Sequence, residues 1–196
     1  QPSPEGLGQA FVIGEDFLDG DSVALILGDN LFYGNDLIEK LNKANLRENG
    51  ATLFGYQVND PKRYGVLEFT KDKKVVGIEE KPSHPKSKYA VTGIYFYDNK
   101  VVDYAKNISK SPRGEYEITD INNIYLKKGT LKAEMFGRGS AWFDTGTHDS
   151  LLEASNFIHT LESRQSLKIG SPEEVAWRKG WISNKQLEKL SSPLKK

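Results

Sequence analysis

The chain has 196 residues, enough for one large domain or for a domain with a small appendage. Its 27 basic residues balance its 27 acidic residues, which argues against a nucleic-acid-binding protein, because those carry a surplus of basic charge. Cysteine is absent, so disulfide scaffolds, zinc knuckles and thiol nucleophiles are excluded and a cytoplasmic location is expected. No apolar run is long enough for a membrane helix, so we expect no membrane partner.

The first part of the chain has a strand–helix–strand pattern. Residues 23–27 form an uninterrupted apolar run, which is typical of a parallel strand covered on both faces. A helix is predicted over residues 35–48, with Gly50 marking its end, and a second strand over residues 51–58. This order favours a parallel α/β sheet with right-handed crossovers.

The middle of the chain has an antiparallel character. Residues 65–70 and 74–80 flank a turn-like segment, which predicts a hairpin. Residues 89–97 are rich in β-branched and aromatic side chains, which predicts another strand. Helices are also predicted at 99–106 and 117–128, and a strand at 130–136.

The last fifty residues have helical patterns. Ser171 followed by Pro172 and Glu174, and Ser183 followed by Gln186, have the spacing of capping boxes. We therefore divide the chain into a core over residues 1–148 and a C-terminal helical region over residues 149–196.

Two carboxylates are candidates for chemistry. Asp29 follows a predicted strand, at the place where open α/β sheets bind ligands, although an Asx turn with Asn30 explains it equally well. Asp144 lies between an aromatic pair and a helix start, where helix capping is the alternative explanation. If the two carboxylates converged they would form a magnesium site. Sequence spacing does not show that they do.

A second cluster, residues 79–82, ends a predicted strand. In isolation a solvated group of charges is the favoured interpretation. Alternatively, Lys81 contacts a phosphate and Glu80 accepts hydrogen bonds from sugar hydroxyls. Gly65 would let a ligand approach the backbone. The three histidines show no metal-ligand spacing and are expected on the surface.

Eight segments occur in an order and spacing that resemble one known family. They are QPSPEGL (1–7), LGDN (27–30), DPKRYGV (60–66), EEKP (79–82), AVTGIYFY (90–97), GEYEITD (114–120), WFDTGT (142–147) and SPEE (171–174). Together they resemble the glucose-1-phosphate thymidylyltransferases, within the sugar-phosphate nucleotidyltransferases.

The resemblance implies a Rossmann-like α/β fold. The sheet would be mixed but mostly parallel, of the nucleotide-diphospho-sugar transferase type, followed by C-terminal helices. The implied reaction joins dTTP and glucose 1-phosphate to give dTDP-glucose and pyrophosphate, in dTDP-sugar biosynthesis of the dTDP-rhamnose type. A homo-oligomer is implied, a tetramer in the family. A related enzyme with another nucleotide or sugar phosphate, and a non-catalytic nucleotide-sugar-binding fragment, are the alternatives.

The resemblance also implies roles for individual residues. Asp29 and Asp144 would bind Mg²⁺ and would be catalytic together with Lys81. The nucleotide would contact Gln1, Gly6, Asp29 and Asn30. The sugar phosphate would contact Gly65, Glu80, Lys81 and Val91. A second, regulatory nucleotide site would include Tyr33, Gly34, Gly137, Arg138, Gly139, Glu174 and Arg178.

One departure from the family concerns the triphosphate. Members have a loop of the type Gly-Gly-x-Gly-Thr-Arg-Leu followed by a catalytic Lys, and the backbone N–H groups of such a loop cradle phosphates. The chain contains no Gly-Gly pair. We therefore expect it to be a piece of the enzyme, with little or no transferase activity by itself.

Overall fold

The computed structural model describes residues 2–194. The chain divides into two compact units, Gln1–Gly146 and Thr147–Lys196. The first unit contains the strands, and the second is helical.

A six-stranded sheet forms the centre of the first unit. It contains β1 (Val23–Ile26), β3 (Ala51–Gln57), β4 (Gly65–Phe69), β5 (Val75–Glu80), β6 (Tyr89–Tyr97) and β7 (Leu131–Met135). The order is β5-β4-β6-β3-β7, and β1 pairs with the C-terminal half of β6. A separate antiparallel pair is formed by β2 (Asn30–Gly34) and β8 (Ser140–Asp144).

The helices fall into two groups. The first unit has α1 (Gln9–Ile13), α2 (Glu15–Leu18), α3 (Leu37–Asn45), α4 (Val101–Asn107) and α5 (Ile118–Lys127), with a 3₁₀ turn at Pro61–Arg63. The second unit has α6 (His148–Gln165), α7 (Pro172–Arg178) and α8 (Asn184–Ser191), with a 3₁₀ turn at Ser192–Leu194. Over residues 2–194 no helix has the length and apolarity that crossing a membrane requires.

The mixed α/β class is confirmed, but the expectation of a mostly parallel sheet is wrong. In the described residues β6 runs antiparallel to β1, β3 and β4, and of the pairings in this sheet only β3–β7 is parallel. β1 and β3 do run in the same direction, as their strand–helix–strand order predicts. They are not neighbours, however, because β6 lies between them and pairs with both.

The apolar run at residues 23–27 was also misleading about burial. Along β1 half-buried and exposed residues alternate, and Ile26 is 59% exposed. Continuous apolarity therefore does not mean that this strand is covered on both faces.

The predicted hairpin at 65–80 and the predicted strand at 89–97 are confirmed. Neither α1 and α2 nor β2 was predicted.

The two predicted capping boxes differ. The capping box at Ser183 is complete, whereas the capping box at Ser171 is only half formed. The Glu174 carboxylate instead accepts a hydrogen bond from Nε of Arg178, one turn later.

A buried polar network joins the sheet to α5. Asp98, which is 4% exposed, accepts hydrogen bonds from the backbone N–H of Gly50 at 2.7 Å and from the hydroxyl of Tyr125 at 2.6 Å. Beside it, Tyr97 donates to the amide oxygen of Asn122 at 2.7 Å. Buried polar groups are costly unless they are paired, so this network fixes α5 against the strand that borders the cavity described below.

Replacing Asp98 tests this network. In Asp98→Ala the Gly50 N–H and the Tyr125 hydroxyl lose their acceptor inside the protein, and each such loss costs about 1–3 kcal/mol. We expect the free energy of unfolding to fall by about 2–4 kcal/mol, measured by urea denaturation. Asp21→Ala, at an exposed position before β1, should change it by less than about 0.5 kcal/mol. Equal free energies of unfolding for the two variants would contradict the stabilising role of the Asp98 network.

Candidate active site

A cavity of about 210 Å³ lies beside the C-terminal end of β1 and is lined by residues of β4, β5, β6, β8 and α5. The residues singled out from the sequence that line it are Asp29, Asn30, Gly65, Glu80, Lys81, Val91 and Asp144. The fold thus brings the proposed metal ligands and the proposed sugar-phosphate ligands to one cavity.

The two candidate metal ligands converge because β2 pairs with β8. Asn30 lies opposite Asp144 in this pair, and Thr145 donates to the carbonyl of Asp29 from its backbone N–H at 2.9 Å and its hydroxyl at 2.8 Å. A Cβ placed on Gly146 would lie 3.1 Å from Oδ1 of Asp144 and 4.0 Å from Oδ2 of Asp29. Both carboxylates therefore face the same small space.

The surroundings of the two carboxylates differ. Asp144 accepts a hydrogen bond from Gly146 N–H at 3.2 Å and forms an ion pair with Arg63 at 3.7 Å. Burial, and then the negative charge of Asp144, raise the pKa of Tyr64, so this phenol remains a donor. Asp29 is exposed and accepts from the side-chain amide of Asn30 at 2.8 Å.

This donor set fits a magnesium ion. Mg²⁺ is generally held by one or two carboxylates together with waters and substrate phosphates, and Asp29 and Asp144 supply two. Within residues 2–194 no group of three or more His, Cys, Asp or Glu side chains is placed to hold a metal. Substrate and water would therefore complete the coordination shell of the ion.

The three histidines are exposed, as expected.

Glu80, which also lines the cavity, accepts a hydrogen bond from the hydroxyl of Thr119 at 2.5 Å. Burial raises the pKa of Glu80, and the negative charge of Glu117 adds to the effect. Thr119, Lys81 and Arg113 lower it by a smaller amount. Gly65 is the strand partner of Glu80, and a Cβ there would lie 3.4 Å from the carboxylate oxygen. Gly65 thus leaves room in front of a carboxylate that can accept hydrogen bonds.

Lys81 has a strained backbone at the end of β5. Its φ is +43°, in the left-handed region that residues other than glycine rarely adopt, and its N–H donates to the carbonyl of Tyr64 at 3.0 Å. Such a conformation costs about 1–3 kcal/mol and is common at functional sites. This left-handed conformation changes the direction of the chain at Lys81, which lines the cavity.

Several cavity residues were given no role by sequence reasoning. The Trp142 ring lies 5.0 Å from that of Tyr64 and 6.0 Å from that of Tyr56, so aromatic groups form part of the site. A usable signal existed for Trp142, since it precedes Asp144 by two residues and therefore shares its face of the strand. No such signal pointed to Thr119, which comes from the first turn of α5.

Two proposed nucleotide contacts come from the start of the chain. Gln1 lies outside the described residues, and Gly6 does not line the cavity. Gly6 has a φ of +105°, and a Cβ there would lie 2.5 Å from the carbonyl oxygen of Tyr116. This close packing explains why residue 6 is a glycine. The next residue, Leu7, lines the cavity.

The proposed regulatory residues fall into two sets. Tyr33 and Gly34 lie on β2 opposite Ala141 and Ser140, and Gly137, Arg138 and Gly139 form the turn that leads into β8. These five are therefore neighbours in the first unit. Glu174 and Arg178 lie on α7 in the second unit, where they form an ion pair at 2.7 Å.

Curated relatives of known name are similar to the whole of this chain. Glucose-1-phosphate thymidylyltransferase from Xanthomonas campestris pv. campestris (strain B100) is 57% identical over 196 residues, all of this chain and 66% of that protein. The enzyme of that name from Neisseria meningitidis is 52% identical over all of this chain and 68% of its own length. The chain therefore spans about two thirds of the length of these relatives.

Solved structures show the same fold. A Bacillus anthracis protein, provisionally named a glucose-1-phosphate thymidylyltransferase and solved with sucrose, matches with a TM-score of 0.68 and 41% identity over 85% of this chain and 63% of that chain. A UDP-glucose pyrophosphorylase complexed with UDP-glucose matches with a TM-score of 0.71 over 81% of this chain and 63% of that chain. Its 22% identity bears on the fold alone. The fold is that of the nucleotide-diphospho-sugar transferases.

A family model described as nucleotidyl transferase matches residues 1–160. This match covers well over half of the chain, and the relatives above extend it to the last residue. The chain therefore belongs to the nucleotidyl transferase family.

Proposed function

We propose that the protein is a glucose-1-phosphate thymidylyltransferase, which joins dTTP and glucose 1-phosphate to give dTDP-glucose and pyrophosphate. One observation carries the proposal. The Asp29–Asp144 pair faces a cavity that is also lined by Glu80 and Lys81, so groups suited to a metal-bound nucleotide and to a sugar phosphate share one space. The relatives of that name support the choice of substrates.

In the proposed reaction a phosphate oxygen of glucose 1-phosphate attacks the α-phosphorus of dTTP. A new P–O bond forms, the bond from the α-phosphorus to the oxygen bridging to the β-phosphate breaks, and pyrophosphate leaves with that electron pair. Such a reaction requires the protein mainly to position two anions and to offset their charge. Lys81 would hold the sugar phosphate as a point charge.

Asp29 and Asp144 would hold Mg²⁺, which supplies electrostatic stabilisation of the reacting phosphate oxygens. In the free protein Arg63 already places positive charge beside Asp144. Glu80 would accept hydrogen bonds from sugar hydroxyls, while Gly65 leaves room for the ring and Val91 adds an apolar contact.

We also propose a cytoplasmic homo-oligomer, a tetramer as in the resembling family, with dTTP and glucose 1-phosphate rather than nucleic acid as its partners. The second nucleotide site is proposed on the same resemblance. Its support is the proximity of Tyr33 and Gly34 to the 137–139 turn, whereas Glu174 and Arg178 are assigned to it by resemblance alone.

A module that binds nucleotide sugars without catalysis is the second candidate, because the chain lacks a Gly-Gly phosphate loop. Because we expect little transferase activity from this chain by itself, the candidates are separated by pyrophosphate release from the enzyme of which we expect it to be a piece, assayed with a panel of nucleotides and sugar 1-phosphates. Release above background only with dTTP and glucose 1-phosphate supports the transferase, and a preference for another pair indicates a sister enzyme. Binding of dTDP-glucose without release for any pair supports the module.

Removing one carboxylate tests the metal pair. A ligand present at 100 times its Kd stabilises the folded state by about 2.7 kcal/mol, so dTDP-glucose with Mg²⁺ should raise the melting temperature of the chain. We expect Asp144→Asn to lose most of this increase, and Asp21→Asn, at an exposed position, to keep it. An undiminished increase in Asp144→Asn would contradict the metal assignment. The measurement is differential scanning fluorimetry with and without ligand.

The raised pKa of Glu80 predicts a pH dependence of binding. Only the ionised carboxylate accepts hydrogen bonds with both oxygens, so affinity for dTDP-glucose should fall as pH falls through the pKa of Glu80. Because burial raises that pKa, the fall should begin at a higher pH than for an ordinary Glu. We expect Glu80→Gln to bind about tenfold more weakly and with a flatter profile, measured by calorimetry from pH 8 to pH 5.

The neighbouring Glu79→Gln is the matched control, because Glu79 is exposed and does not line the cavity. It should keep the wild-type affinity and pH profile. A wild-type profile in Glu80→Gln would show that another group titrates.

A further inference from the structure

The side-chain amide of Asn30 forms three hydrogen bonds within the cavity wall. Its Oδ1 accepts hydrogen bonds from the indole Nε1 of Trp142 at 2.6 Å and from the backbone N–H of Gly93 at 3.2 Å. Its Nδ2 donates to Oδ1 of Asp29 at 2.8 Å. One amide therefore links an aromatic ring of the cavity to a proposed metal ligand.

These bonds permit only one orientation of the amide. An indole N–H and a backbone N–H can donate but not accept, so both must face the oxygen of Asn30. The NH₂ group then has to face Asp29. Rotating the amide by half a turn would set its NH₂ group against two donors and leave Asp29 beside a carbonyl oxygen.

The backbone of β6 also holds the Asn30 amide in place. A Cβ on Gly93 would lie 2.5 Å from Oδ1 of Asn30 and 2.7 Å from its Cγ, which is closer than real Cβ atoms approach. Glycine at this position is what allows Asn30 to reach the backbone N–H. The amide is thus held by a strand, a ring and a carboxylate.

We propose that Trp142 is a positioning residue that acts through Asn30. Its indole N–H orients the amide, and the amide holds the Asp29 carboxylate in the position from which it binds a divalent cation. This inference rests on the proposed function. It adds that the indole N–H of Trp142 contributes to the affinity of the site for a divalent cation. The tilted contact with the Tyr64 ring explains the position of the Trp142 ring but not the direction of its N–H.

Trp142→Phe tests the N–H, because it removes the donor and keeps an aromatic ring beside Tyr64; the loss of ring area is shared by the control variant. Trp177→Phe is the matched control: Trp177 donates its indole N–H to Oδ1 of Asn184, also at 2.6 Å, in the second unit. The probe is Mn²⁺ alone, added to the ligand-free chain and followed by electron paramagnetic resonance. A second readout is the NMR signal of the Asn30 side-chain amide, assigned by its loss in Asn30→Asp.

We expect Trp142→Phe to weaken Mn²⁺ binding about threefold to tenfold, the effect of losing one hydrogen bond, and to speed exchange of the Asn30 amide protons with solvent. Trp177→Phe should leave both unchanged. Gly93→Ala is the second variant, since it displaces the same amide from the backbone side, and it should reproduce both effects.

Wild-type Mn²⁺ affinity and wild-type amide exchange in both Trp142→Phe and Gly93→Ala would overturn the inference. If the wild-type chain binds no Mn²⁺, or if Asp144→Asn binds it equally well, the proposed metal pair is wrong. In that case the amide signal still decides whether Trp142 orients Asn30.

Discussion

The antiparallel pairing of β2 with β8 is the interaction on which the cavity depends. It brings together Asn30 and Trp142, which are 112 residues apart in the sequence. The carboxylates of Asp29 and Asp144 are brought together with them. Closing a loop of this length costs only slightly more entropy than closing one of half the length. The ladder is supported by hydrogen bonds from Thr145 to the Asp29 carbonyl and from the Tyr56 hydroxyl to the Ser140 carbonyl.

Two carboxylates of the site have partners before any ligand binds. Arg63 forms an ion pair with Asp144, while Thr119 and Arg113 lie beside Glu80. Charged groups that leave water need such partners. A binding ligand therefore exchanges existing interactions for new ones, and the site is organised by the protein itself.

The sequence predicts the local elements well, because hairpins and helix ends depend on nearby residues. The hairpin around 71–73 and the complete box at Ser183 are examples. It does not predict that β6 lies between β1 and β3, because strand order depends on long-range pairing that an apolar run does not record.

The site shows the same division. Asp29, Glu80, Lys81 and Asp144 stand out by residue type and by position at strand ends, and the structure places all four in one cavity. The contacts around them do not stand out. Thr119 carries no signal in the sequence, and Asn30 is a candidate nucleotide ligand whose bond to Trp142 is not predicted. The contacts of Thr119 with Glu80 and of Asn30 with Trp142 exist only after the strands have paired.

The backbone of Lys81 has a consequence for variation at this position. Glycine and asparagine tolerate a φ of +43° best, but neither carries a positive charge, while arginine keeps the charge and shares the backbone strain. Under the role proposed for Lys81, the backbone and the chemistry therefore favour different residues. Among variants at residue 81, β-branched residues should lower stability and neutral residues should weaken binding of glucose 1-phosphate, so the two kinds of loss are separable.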